Sequence, residues 1–472
     1  MNDRISPPPR PKALLVGLNL PKTTAEDNTA SLKELERLVS TLGYDVVGTL
    51  TQKRNSSSGA TVVGDGKLRE LASWTGGPGK VMPSIEVKKH KAAARFTKDE
   101  DDDDEDAVSD EDSEDDAEDS SDEAAEITKV KPDVIVFDCD LSPSQLRNLE
   151  SATAVQVLDR TGVIIEIFSR HARTRAARLQ VEIARLNYMA PRIRETGGGA
   201  DRQGGGIGGK GAGETAYELD RRRIRDRVKE LRQDLESVQN EHAVRRARRS
   251  QENCVALVGY TNAGKSSLMR AMTGSEIYVA DKLFATLDTT VRPLFPETRP
   301  KILFSDTVGF IKKLPHDLVA SFRSTLDEAL NADLLLFVVD AADPTFRSQL
   351  QVTRDVLGEI GANETASRIV LNKRDRLSSE EQTALLEEFP EAICISTRDS
   401  GDLERLRQDL IRFFERDMVE EDLFVPYNVQ GPIGPIREQM TVLSEKFDEH
   451  GVHLRLRAAP EQLRRLKAKF SL

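Results

Sequence analysis

The apolar positions divide the chain into stretches of different period. From residue 12 the run ALLVGL is continuous enough for a buried strand, and SLKELERLVSTLG then sets Leu32, Leu35, Leu38 and Leu42 at helical spacing. That spacing predicts a helix with Ser31 as N-cap and Gly43 as its stop. DVVGTL returns to a strand pattern and GKLRELA to a helical one; beyond a break, DVIVFDCDLSP predicts a strand, SPSQLRNLE a helix start and VQVLD another strand. Strands alternating with helices predict an α/β unit with a parallel sheet over residues 12–165, behind a disordered tail at 1–11.

From residue 166 the period changes. Ala172, Ala176, Leu179, Ile183, Leu186 and Ala190 step by four and three, and so do Ile224, Val228, Leu231, Leu235 and Val238. Two helices with narrow apolar seams predict an antiparallel coiled-coil hairpin over 166–249. Their outer faces carry Arg173, Arg175, Arg178, Arg221, Arg222, Arg223, Arg245, Arg246, Arg248 and Arg249, which suits either a solvated face or one touching RNA. Between them lies the glycine-rich loop 196–214, whose composition alone describes a flexible linker as well as a close-approach backbone. Residues 416–472 predict a small α/β appendix: FVPYNV, a turn around Gly431, Pro432, Gly434 and Pro435, a helix-like IREQMTVLSEKF, then HLRLRA and PEQLRRLKAKF.

Composition changes this picture at one place. The formal net charge is −12, yet residues 99–126 hold 19 acidic residues and no basic one, and the rest of the chain has 68 basic against 61 acidic residues, a net of +7. The folded part is therefore basic, which favours a nucleic-acid partner. Residues 76–130, running from Gly76, Gly77, Pro78 and Gly79 through KKHKAAAR into the acidic run, cannot bury enough apolar surface to fold and are expected to be disordered. Cys139, Cys254 and Cys394 lack metal-ligand spacing and suit buried free thiols in a reducing cytoplasm. No run of 18 apolar residues predicts a membrane span, and the first residues have no secretory signal pattern.

The chemistry concentrates in 250–415. CVALVGYTNAGKSSLMRAM reads as strand, glycine loop and helix, and Gly259, Tyr260, Thr261, Asn262, Ala263, Gly264, Lys265, Ser266 and Ser267 fit GxxxxGK[ST]. Inward-turned amides of such a loop cradle phosphates, Lys265 reaches the β- and γ-phosphates and Ser266 binds Mg²⁺. KILFSDTVGF supplies DxxG as Asp306, Thr307, Val308 and Gly309, with Phe310 behind it: the Asp306 carboxylate suits Mg²⁺ through water, and the Gly309 amide suits the γ-phosphate. RIVLNKRD supplies Asn372, Lys373 and Asp375 at a strand end, where open α/β sheets bind ligands. Asp375 can accept from guanine N1–H and the exocyclic amine, and adenine offers no such pair. GTP and GDP are therefore the expected ligands. Thr286 in LFATLD (Phe284, Ala285, Thr286, Leu287, Asp288) is a candidate to close over Mg²⁺, and Ser396 with Thr397 after AICI a candidate for backbone donors to guanine O6. Phe310 stands where small GTPases carry the glutamine that orients water, so hydrolysis is expected to be slow until a partner orders that water.

VGDGKLREL, DCDLSPSQLRNLE, VLDRTGVIIEIFSRHARTRAARLQVEIARL, RQGGGIGGKGAGE, GYTNAGKSS, LFATLD and DTVGFI together resemble the HflX family of ribosome-associated GTPases over most of the chain. The resemblance implies an α/β fold with a P-loop GTPase domain at 250–415, preceded by the N-terminal α/β domain with its helical hairpin and followed by the small domain. It makes Thr286 the switch I magnesium ligand and Phe310 the family's hydrophobic substitute. It turns the glycine loop, with Arg202, Gln203 and Lys210, toward ribosomal RNA, and implies a cytoplasmic monomer that partners the large (50S) ribosomal subunit in splitting, rescue or biogenesis. A nucleotide-gated RNA-binding module with negligible turnover is the alternative. The chain departs from the family in the acidic insertion, in Ala212 where proline is common, and in STRDSG at 396–401 where SAxTG is usual.

The insertion invites a prediction of its own. A flexible tether of about fifty residues samples a zone of roughly 40 Å, and its carboxylates would compete with RNA phosphates for the hairpin arginines. Deleting 76–130 is expected to leave GTP affinity unchanged and to raise affinity for unrelated RNA at low salt, with a steeper loss as salt increases. Identical RNA titrations for both chains would show an inert spacer.

Overall fold

The computed structural model of the chain describes residues 10–21, 23–81, 130–193, 216–249, 252–275, 283–284, 289–312, 328–362, 364–429 and 431–470. Two compact units emerge: residues 1–32 with 43–159, and residues 33–42 with 160–472.

In the first unit, β1 (Lys12–Asn19), β2 (Asp45–Lys53), β3 (Val134–Phe137) and β4 (Gln156–Asp159) form a wholly parallel sheet in the order β2-β1-β3-β4. This is the sheet that the strand–helix alternation predicts. The helix after β1, α1 (Ala25–Thr41), starts earlier than expected. Thr24 caps it, accepting from the Asp27 amide at 3.1 Å. Ser31 lies inside the helix, buried, and donates to Asp138 Oδ2 at 2.5 Å; a hydroxyl with a buried carboxylate partner is not needed at a helix end. α2 (Asp65–Thr75) and α3 (Pro143–Thr153) complete the layer, the latter closed by a Ser142–Gln145 capping box.

The expected disordered insertion begins later than Gly76. Gly79 N–H donates to Ala152 O at 2.9 Å, and Val81 packs against the core of this unit. Gly77 sits so near α3 that a Cβ there would lie 2.5 Å from the Thr153 carbonyl. Residues 76–81 are thus part of the fold. The acidic run and KKHKAAAR fall in 82–129, outside the described residues.

In the second unit α4 (Arg160–His171) ends before α5 (Arg175–Met189) begins, because Thr174 accepts from the Ala177 amide at 3.2 Å and caps a new helix. The expected seam therefore starts at Ala176, Ala172 lies in the break, and residue 165 falls within α4. The seam residues do meet: Leu179 and Ile183 cluster with Val228, Leu231 and Val238 of α6 (Ala216–Arg249), and Arg227 bonds Glu182 at 3.1 Å. The glycine loop, including Arg202, Gln203, Lys210 and Ala212, lies outside the described residues.

The six-stranded sheet that follows has the order β10-β9-β8-β5-β7-β6, from β5 (Asn253–Val258), β6 (Thr290–Pro293), β7 (Ile302–Asp306), β8 (Leu334–Asp340), β9 (Ser367–Asn372) and β10 (Ile393–Cys394). All pairs are parallel except β6 with β7. α7 (Lys265–Thr273), α8 (Phe346–Glu359), α9 (Ser379–Glu388) and α10 (Ser400–Glu415) accompany it. The near-continuous apolar runs of β5, β7 and β8 suit strands covered on both faces.

The C-terminal segment is an antiparallel sheet, β11-β13-β12, formed by β11 (Val419–Pro426), β12 (Thr441–Phe447) and β13 (Gly451–Ala458), with α11 (Ile433–Gln439) and α12 (Pro460–Phe470). Here IREQMTVLSEKF is not one helix. The helix stops at Gln439, and TVLSEKF pairs with β13, where β-branched Thr441 and Val442 fit a pleated strand. None of the three cysteines is in a disulfide, and all are half-buried rather than buried.

If residues 76–81 are packed as described, Gly77→Val is expected to cost roughly 1–3 kcal/mol through overpacking against α3. Urea unfolding reads this as a lower midpoint, and an unmoved midpoint would show that the segment does not pack there.

Candidate functional site

The candidate residues converge because β5, β7, β8 and β9 end together and each hands the chain to a loop at its carboxyl end. After β5, residues 259–264 form the phosphate loop and Lys265, Ser266 and Ser267 open α7. Gly264 has φ +98°, and a Cβ there would collide with the Asn372 side-chain amide. The glycine is therefore required for strand β9 to close on the loop. Lys265 is buried and curls back, donating to Gly259 O at 3.0 Å and Tyr260 O at 2.8 Å. Burial pulls its pKa down to about 8, against the opposing charge of Asp306. Phosphate charge beside it would restore the ammonium's ordinary preference for its proton.

Asp306 ends β7, 1% exposed. Ser266 Oγ donates to its Oδ2 at 2.7 Å. Hydroxyl and carboxylate oxygens at one point are the donor set of a hard cation such as Mg²⁺, so these two residues fit the ion the motifs imply. Thr307 is buried and ties the turn down by donating to Leu257 O at 2.7 Å. Val308 and Phe310 are buried, and Gly309 packs so tightly that a Cβ would lie 2.9 Å from Thr261 Cα and 3.1 Å from Lys265 Nζ. Of the expected switch I residues only Phe284 is described: it is buried at φ +56°, edge-on to Phe168 with centroids 4.6 Å apart. Ala285, Thr286, Leu287 and Asp288 lie outside the described residues, as do the RNA-contact candidates.

β9 delivers the third motif. Asn372 Nδ2 donates to Ala263 O at 2.9 Å, and Lys373 Nζ donates to Asn262 O at 2.8 Å and to Asp340 Oδ2 at 2.6 Å. Asp375 Oδ1 accepts from Ser396 Oγ at 2.7 Å, and the Arg398 guanidinium stands 3.7 Å from Oδ2. The Ser396 bond, with the charges of Arg398 and Arg376, holds the Asp375 carboxyl below its ordinary range, in the anionic form that accepts two donors. A cavity of about 560 Å³ opens here, lined by Asp375, Leu377, Gln382, Ser396 and Arg398 among others.

One expectation changes. The Ser396 amide donates to Asp402 Oδ2 at 2.8 Å, so Ser396 braces Asp375 through its hydroxyl and does not present its own amide. The neighbouring Thr397, half-buried in the same turn, is left as the backbone candidate. Three contributors escaped sequence reasoning. Asp340 is the last residue of LLLFVVD, a strand-end carboxylate that the pattern did offer. Asp402 and Arg374 pair with each other and brace the 396–402 turn; nothing in their spacing singles them out.

Three family models match the chain: GTP-binding GTPase N-terminal over residues 29–79 and 118–169, GTP-binding GTPase Middle Region over 171–249, and 50S ribosome-binding GTPase over 254–373. Among curated proteins, one named GTPase HflX from Gluconacetobacter diazotrophicus is 56% identical over 464 residues, covering 98% of this chain and 99% of that one. A GTPase HflX from Caldanaerobacter subterraneus is 35% identical, covering 97% and 93%. That of Escherichia coli is 34% identical, covering 85% and 83%.

Asp375→Asn is expected to weaken GTP binding and to favour xanthosine triphosphate, because the amide can donate to the oxygen that replaces the guanine amine. Competition titrations with both nucleotides check this, and an unchanged preference would mean that Asp375 does not read the base.

Proposed function

The chain belongs to the HflX family of GTPases, and from that membership we propose that its GTP-bound form docks on the large ribosomal subunit, where hydrolysis is completed. The observation that carries the docking is the match of residues 254–373 to the 50S ribosome-binding GTPase model. The nucleotide half of the reading rests on the pair of bonds from Asn372 and Lys373 to the phosphate loop, which join the proposed base reader and phosphate cradle. Loop amides and the α7 N-terminus receive the phosphates, Lys265 neutralises them, and Asp375 accepts from the guanine edge. The Thr397 amide is the candidate donor to guanine O6. Ser266, Asp306 and Thr286 would hold Mg²⁺, which supplies charge neutralisation to the β- and γ-phosphate oxygens.

Phe310 has no polar group to orient water, and it is buried. Turnover by the isolated chain is therefore slow, and a docked partner must order the attacking water. The 50S ribosome-binding description of the matched GTPase model and the basic balance outside the acidic run support the large subunit as that partner. The glycine loop with Arg202, Gln203 and Lys210 is the proposed RNA contact, and splitting, rescue or biogenesis of ribosomes the proposed setting. The chain works in the cytoplasm as a monomer; among the described residues no helix is long and apolar enough to cross a membrane.

Purified large subunits are expected to raise GTP turnover well above tenfold, within the range of trans-acting stimulation, and cosedimentation should be stronger with a GTP analogue than with GDP. A fast enzyme indifferent to ribosomes would contradict the proposal. Nucleotide-dependent cosedimentation without turnover would leave a nucleotide-gated RNA-binding module instead.

A further inference from the structure

Glu34 of α1, Arg160 of α4 and Tyr260 of the phosphate loop lie in the same compact unit and meet in a half-buried chain of hydrogen bonds. The Arg160 guanidinium pairs with Glu34 Oε2, and the Tyr260 hydroxyl donates to Glu34 Oε1. The same phenol oxygen accepts from the Lys312 amide at 2.7 Å. Tyr260 is 5% exposed and Arg160 1%. Burial, with the charge of Glu34, raises the phenol's hold on its proton, so Tyr260 remains a donor to Glu34 and an acceptor for Lys312.

Lys312 follows directly on the DxxG turn. There the Phe310 amide donates to Gly259 O at 3.1 Å, and Phe310 O accepts from the Thr261 amide at 2.8 Å. Three backbone groups across residues 310–312 are thus fixed to the phosphate loop by bonds the protein makes with itself. Gly309 must respond to the γ-phosphate if it is the residue that senses it, and a segment held this way yields only by exchanging some of those bonds. The two at Phe310 are backbone to backbone and open to any side chain. The one at Lys312 depends on a phenol, which phenylalanine would replace without changing the ring.

We propose that Tyr260 is a positioning residue for hydrolysis: its hydroxyl latches the segment after Gly309 to Glu34 and Arg160, and the latch opens when the switch engages the γ-phosphate. This rests on the assignment of Gly309 as the γ-phosphate contact. Glu34 and Arg160 give the latch its strength, since a charged, half-buried acceptor paired with a buried guanidinium binds the phenol more firmly than water would.

In the full chain, Tyr260→Phe is expected to raise the single-turnover rate at saturating GTP by roughly two- to tenfold, the worth of one neutral hydrogen bond. Amide exchange at Lys312 should accelerate in the GDP-bound protein. An unchanged or lowered rate overturns the proposal, and so does a Lys312 amide as protected as in the wild type. A merely structural phenol would lower GDP affinity and thermal stability together without raising the rate. Gly309→Ala examines the underlying assignment separately: wild-type turnover in that variant would remove it, whereas exchange at Lys312 reads the latch alone.

Discussion

The site depends on one constraint: strand β9 must close on the phosphate loop. Asn372 reaches the Ala263 carbonyl and Lys373 the Asn262 carbonyl, and Asp340, at the end of the neighbouring strand, holds the Lys373 ammonium at 2.6 Å. The approach is close enough that residue 264 has no room for a side chain. Asn372 is 1% exposed, so a lost bond there leaves polar groups buried and unpaired, which costs about 1–3 kcal/mol. The proposed guanine reader and the proposed phosphate cradle are thus tied to each other by these bonds.

From this shared frame the two ends of the site are held in different ways. The Asp306–Phe310 turn is bonded to the phosphate loop through backbone groups and, beyond it, through the Tyr260 phenol. The turn that carries Ser396 is instead fixed by side chains, with Asp402 accepting from its amide and Arg374 pairing with both Asp402 and Asp399. The base end is braced by side-chain ion pairs, one of them on the buried Asp402, and the other end by exchangeable hydrogen bonds. That division suits a protein that must keep hold of guanine while its γ-phosphate end rearranges.

Much of this was legible in the residues. The order GxxxxGKS, DxxG, NKRD falls at the carboxyl ends of strongly apolar runs, and parallel sheets bring such ends together. Local pattern failed where contacts made only in the fold decide. Ser31 reads as a cap, but Asp138 claims its hydroxyl and Thr24 caps the helix. TVLSEKF reads as helix, but pairing with β13 makes it a strand. Glu34 and Tyr260, 226 residues apart, carry no shared spacing signal. Position 76 reads as the start of a polar insertion because its glycines suggest flexibility, whereas Gly77 is there to let the chain pass against α3.

The central claim is that base reader and phosphate cradle form one unit through Asn372. Titration of Asn372→Ala with GDP tests it most directly, since Asn372 Nδ2 is bonded to the Ala263 carbonyl of the loop. The account predicts at least roughly tenfold weaker GDP binding, the consequence of stranding a buried carbonyl. GDP affinity equal to that of the wild type would contradict it.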